Sequence, residues 1–180
     1  MRSLLVSALV AASLTLGGCG LRPLYANGSK GAVAQVLADV DVAPIEGHSG
    51  FLVRNALRDR LQATQGGQGA GNRLRLDVRL EDSITGFGVR ADDAVTRERR
   101  TLRARYQLVD AGTGEVLLDA TAFSDAGIDV VGSEYATIAA ESSALERLAS
   151  AVADQIVTRL AVFADRGGGR TADAPAPAGQ

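Results

Sequence analysis

The sequence predicts an α+β two-layer sandwich: a four-stranded, mostly antiparallel sheet with two helices packed on one face, in the order β-α-β-β-β-α. Three observations carry this. Residues 73–81, RLRLDVRLE, alternate apolar and charged without a break, the period of a strand with one buried face. RYQLVDAGTGEVLLDA places a turn between two runs of that period and reads as a hairpin. Residues 49–64 and 133–164 repeat their apolar side chains at helical spacing. One-faced strands and one-striped helices bury each other as two layers and leave the second sheet face open.

The elements follow in order. Val33–Ile45, VAQVLADVDVAPI, is rich in β-branched residues and reads as the first strand, ended by Pro44. Ser49–Thr64 reads as a helix with Ser49 as N-cap and Val53, Leu57 and Leu61 on one stripe. GGQGAG, 66–71, ends it. Strand two, 73–81, buries Leu74, Leu76, Val78 and Leu80, and TGFGVRADDA then reads as a turn region. Strand three, 95–110, points Leu102, Ala104, Tyr106 and Leu108 inward. Strand four, EVLLDATAFSD, does the same with Val116, Leu118, Ala120 and Ala122, in an even register such as Leu108 opposite Val116. The last helix, 133–164, carries Ile138, Leu145, Leu148, Val152, Ile156, Leu160 and Phe163 on its stripe, with Ser133 as N-cap and Glu134 in the first turn.

The amino terminus has the layout of a secretory signal: Arg2, an apolar run Leu4–Leu16, then small residues. As a helix that run spans about 20 Å, short of a ~30 Å hydrocarbon core. Leu16-Gly17-Gly18-Cys19 fits a bacterial lipobox, in which the Cys19 thiol takes up diacylglycerol and the amine freed by cleavage is acylated in turn. Each buried CH2 contributes ~0.8 kcal/mol, so several chains anchor where one does not. The expected organisation is a removed signal peptide over 1–18, an acylated tether over 19–32, the sandwich domain over 33–165 and a disordered, low-complexity tail over 166–180. Gly20, in place of Asp, matches an outer-membrane sorting signal, with the domain on the periplasmic face.

Composition narrows the function. A net charge of −2 and the absence of tryptophan argue against a nucleic-acid partner. One cysteine forms no internal disulfide, and the single histidine, His48, lies in EGHSGF beside no nucleophile signature. GGQGAG lacks the GK[ST] of a phosphate loop and follows a helix; Asp92-Asp93 is too small a set for calcium. No catalytic residues, metal or cofactor are expected beyond the acyl groups on Cys19.

The charged residues gather on the open face. Strand parity places Arg73, Arg75, Arg79, Arg97, Arg99, Arg103 and Arg105 there, with Arg90 in the joining turn. Guanidinium forks bind phosphate or carboxylate bidentately. Asp77, Glu81, Asp119 and Asp125 share the face, with Arg105 expected opposite Asp119, so the same pattern also reads as a solvated, ion-paired surface or as one that docks on a protein wall.

The lipobox running into GCGLRPLY, then LVRNALRDRL, RLRLDVRLE, RYQLVDAGTGEVLLDA and SEYATIAAESSALERLASAVADQIVTRL, in that order and spacing, resembles the LptE family of LPS-assembly lipoproteins in its alphaproteobacterial form. The resemblance covers residues 18–160. It implies a non-enzymatic outer-membrane lipoprotein that plugs the β-barrel of LptD, helps that barrel fold and binds lipopolysaccharide. It also implies a basic contact near the turn between strands two and three, where Arg90 stands; Arg97, Arg99, Arg103 and Arg105 are further candidates. The second basic contact expected at the start of the last helix is missing or replaced, because no Lys or Arg lies between Arg105 and Arg147. The competing readings are an auxiliary lipoprotein of a lipid ABC transporter and a lipid-anchored cell-wall hydrolase, the latter lacking any His or Cys constellation.

Overall fold

The computed structural model describes residues 31–64, 73–89, 95–130 and 133–168. The chain begins not with a strand but with a helix, α1 (Ala32–Ala38), followed by a three-residue strand β1 (Val40–Val42). The expected strand over Val33–Ile45 is thereby corrected. Val33, Ala34, Leu37 and Ala38 recur at helical spacing and all are buried, so helix burial outweighs the β preference of the valines. Only VDV is left to pair.

Helix α2 (Gly47–Thr64) follows, with Val53, Leu57 and Leu61 fully buried. It starts two residues before Ser49, which therefore sits in the first turn and not at the cap. Gly50 is required by close approach: a Cβ there would lie 2.6 Å from the Ile45 carbonyl oxygen.

Strand β2 (Leu74–Val89) is sixteen residues long and runs eight residues past the end of its alternating pattern at Glu81. TGFGV is strand, not turn. Residues 81–88 have left the core and are exposed, so no hydrophobic period marks them, yet β2 pairs with β3 (Val95–Asp110) in one continuous register from Leu74↔Asp110 to Phe87↔Arg97 and again at Val89↔Val95. Strand β4 (Val116–Asp129) completes the sheet in the order β1-β2-β3-β4, with β1 parallel to β2 and the other pairs antiparallel.

The β3–β4 register is even, as expected, but is displaced by two residues along β4. Leu108 faces Leu118, and a shift after Leu108 pairs Val109 with Val116, which leaves Val116 48% exposed instead of facing the core. The turn is closed by Asp110, whose Oδ1 accepts the Gly112 and Thr113 backbone N–H groups at 2.8 Å. Those two bonds hold the carboxyl below its usual range.

Helix α3 (Glu134–Phe163) returns along the sheet, ending in a π-turn over Ala164–Gly168. Leu145, Leu148, Val152, Ile156 and Leu160 are buried, but Ile138 is 55% exposed, because the first three turns of α3 project past the core. Ser133 occupies the cap position without a side-chain capping bond. α2 packs over β1 and β2, α3 over β3 and β4, and one hydrophobic cluster fills the space between. Arg60 joins the two helices, its Nη2 donating to Asp154 Oδ2 at 3.0 Å and to Ser150 Oγ at 2.8 Å.

Candidate functional site

The sheet face away from the helices carries the arginines that parity placed there. From the β1 end outward, β3 presents Arg105, Arg103, Arg99 and Arg97. Three of these hold carboxylates of β4. Arg105 donates to Asp119 at 3.0 Å, Arg97 to Asp129 at 2.9 Å, and Arg99 lies 3.7 Å from Asp125. Arg105 stands opposite Thr121, not opposite Asp119 as expected; the ion pair forms on the diagonal and Gln107 shares the same carboxylate at 2.8 Å. Arg105 and Gln107 hold Asp119 below the usual carboxylate range, and Asp119 raises Arg105. Arg99 also lies over the Phe87 ring, 5.5 Å from its centroid.

Arg103 differs. Its register neighbours are Glu81 and Phe123, and it makes no ion pair among the described residues. Arg79 is in the same state, although it faces Arg105 directly across the ladder, and like charges in that position repel. Arg75 is tied to Asp77 at 3.0 Å. The open face is therefore a mixed-charge surface on which Arg79, Arg103 and Glu81 make no ion pair among the described residues. Arg90 and Cys19 lie outside the described residues. His48 is exposed at the start of α2. Among the described residues no group of three or more His, Cys, Asp or Glu side chains is placed to hold a metal, and no helix is long and apolar enough to cross a membrane.

A cleft of about 470 Å3 opens where β1 stops, lined by Ala43, Pro44, Asp77, Val78, Arg79 and Arg105 among others. Nothing in the sequence announced it, since it exists only because β1 is short. The helix-facing side of the far hairpin holds a second feature that sequence reasoning missed. Arg100 donates to both Asp82 oxygens, at 2.9 and 2.7 Å, and to the Glu141 carbonyl at 3.0 Å, tying the hairpin to α3. Its parity was legible, its inward position on a bare stretch of sheet was not.

A long β2–β3 hairpin, one short parallel strand and two helices on a single face form a distinctive combination. The family model for lipopolysaccharide assembly, LptE, matches residues 37–160. The chain belongs to the LptE family. Like other LptE chains it is a lipopolysaccharide-assembly lipoprotein of the Gram-negative envelope. A protein from Caulobacter crescentus CB15 described as a lipoprotein is similar at 26% identity and a TM-score of 0.58, over 75% of this chain and 98% of that one. The rare lipoprotein B of Shewanella oneidensis shares the fold at 12% identity and a TM-score of 0.54, over 71% and 95%. A minor lipoprotein of Acinetobacter baumannii does so at 12% and 0.51, over 68% and 91%. No curated protein matches the sequence.

Proposed function

We propose that this protein is a non-enzymatic lipoprotein of the outer membrane, held on the periplasmic face by acyl chains on Cys19. It plugs and helps assemble an LptD-like β-barrel and binds lipopolysaccharide during delivery to the outer leaflet. Membership of the LptE family carries the reading. The open sheet face supports it. A plug in a polar lumen needs a polar, mixed-charge wall rather than an apolar one, and this face supplies it.

The same face suits an anionic saccharide lipid. The pairs of Arg97, Arg99 and Arg105 are exposed and screened by solvent, so an incoming phosphate displaces them at small cost. Charge-assisted bonds to phosphate contribute about 1.5–3 kcal/mol each. Arg103 has no ion pair to surrender. Arg90, between β2 and β3 in the sequence, is the further candidate.

Retention of the protein on immobilised lipopolysaccharide tests this. Arg90→Ala and Arg103→Gln should each reduce retention several-fold while barrel binding persists; unchanged retention by both would remove the ligand role from this face. Cys19→Ala should yield an uncleaved, mislocalised precursor, and normal outer-membrane fractionation of that variant would refute the anchor.

A further inference from the structure

The two edges of the sheet are finished differently. Strand parity fixes which backbone groups point outward. The Arg73 carbonyl accepts from Ala111, so odd residues of β2 bond to β3; Leu74 and Leu76 bond instead to the β1 side, through Asp39 and Ala43. On β4 the same alternation turns odd residues outward, and there one position, Phe123, is guarded from α3. The Gln155 side chain of α3 accepts the Phe123 N–H at 3.3 Å and donates to the Phe123 carbonyl at 3.0 Å. On β2, pairing with β1 ends at Val42↔Leu76. Beyond it the N–H and C=O groups of Val78, Leu80, Asp82, Ile84 and Gly86 face outward along about 30 Å of strand. Among the described residues no strand pairs along this edge; the stretch contains no proline and no lysine, and the ladder from Leu74 to Phe87 has no bulge, so its guards are the charges of Arg79, Glu81 and the inward-facing Asp82, the last of them neutralised by Arg100.

We propose that this edge of β2 receives an extended segment of the barrel protein by strand addition, continuing the line that β1 begins. The proposal rests on the plug reading. A closed barrel has no free edge in its wall, so the segment is a lumen-facing loop or a terminal strand. The cleft below Pro44 admits its first residue. Side chains along the edge define its chemistry. Arg79 and Glu81 project from the open face and make no ion pair among the described residues; Leu80 and Ile84 project from the helix-facing side, where Ile84 is 42% exposed. The segment therefore places a carboxylate opposite Arg79, a base opposite Glu81, and apolar side chains opposite Leu80 and Ile84. Main-chain bonds supply affinity and the alternating side chains supply specificity.

The test uses the full-length lipoprotein, alone and in the complex that it brings from its own membranes in mild detergent, with amide exchange read residue by residue along β2. Alone, the Leu80, Asp82, Ile84 and Gly86 amides should exchange at least 100-fold faster than those of Arg79, Glu81 and Ser83. In the complex the four should become protected. Exchange as fast in the complex as alone would overturn the proposal and leave the plug reading standing. Protection already present in the isolated protein, at the mass of a dimer, would assign the edge to a second copy and also overturn it. As a second arm, Ile84→Pro removes an outward N–H at a position where an edge strand tolerates proline. It should lower barrel recovery at least tenfold against Ile84→Ala; equal recovery by the two variants would overturn the proposal. If the wild-type protein brings down no barrel, the plug reading fails, and the proposal with it.

Discussion

The base of the sheet and its far end are made from the same strands and behave as different materials. At the base, Leu74, Leu76, Leu102, Ala104 and Leu108 are buried against both long helices. At the far end, residues 81–88 of β2 are exposed, although the Asp82 side chain is only 21% so, and the hairpin is held by its ladder and by Arg100 reaching Asp82 and the Glu141 carbonyl. The base spends its side chains on stability. The far end leaves its side chains and an open edge available to something else. A strand that outruns its core is costly to keep soluble, which makes the outrunning half the natural place for binding.

Mutations separate the two regions, starting with the largest effect. Leu108→Ala at the base should cost about 2–5 kcal/mol in denaturant unfolding, the range for emptying a packed leucine site; a cost below 1 kcal/mol would mean that the base is not the scaffold. Arg100→Met should cost about 1–3 kcal/mol, because Asp82 keeps a mostly shielded charge without its partner, and exchange should accelerate in the hairpin but not at the base. Uniform acceleration would show that the two regions unfold as one. Arg60→Met should cost only about 1 kcal/mol, since Asp154 is 62% exposed.

Acid titration reads the same pairs. Arg60 holds Asp154 below the usual carboxylate range, and Arg105 does the same to Asp119. A lowered folded-state pKa contributes stability above the unfolded value of about 4, lost as pH falls from there through the folded value. Stability should thus be flat above about pH 5 and decline below 4, with a shallower decline in Asp154→Asn; an identical slope in that variant would mean that the pair is unformed in solution. Ile84→Ser, last, should change unfolding by no more than about 0.5 kcal/mol, as expected for an exposed side chain outside the core cluster.

The sequence exposed what burial writes into it. Leu74–Leu80, Leu102–Leu108 and the α3 stripe from Leu145 onward all carry the period of their element, and the structure keeps each of them. Where burial stops, the pattern stops: 82–89 continued as strand without any period, and Ile138 matched the helical spacing but lies beyond the core. Val33–Ala38 misled in the opposite sense, its β-branched residues being buried on a helix. On the open face, parity placed Arg97, Arg99, Arg103 and Arg105 correctly, but pairing depends on register and rotamer, so the one-step shift at Leu108/Val109 and the solitary state of Arg103 were not legible. The guard at Phe123 comes from Gln155, 32 residues away, and no local signal marks it.

The most direct test is a mild-detergent pull-down of tagged, full-length protein from its own membranes, with the partners identified and quantified by mass spectrometry. A large outer-membrane β-barrel at near-equal amount is the predicted result. Inner-membrane transporter subunits in its place, or the lipoprotein alone from cells that contain such a barrel, would contradict the account.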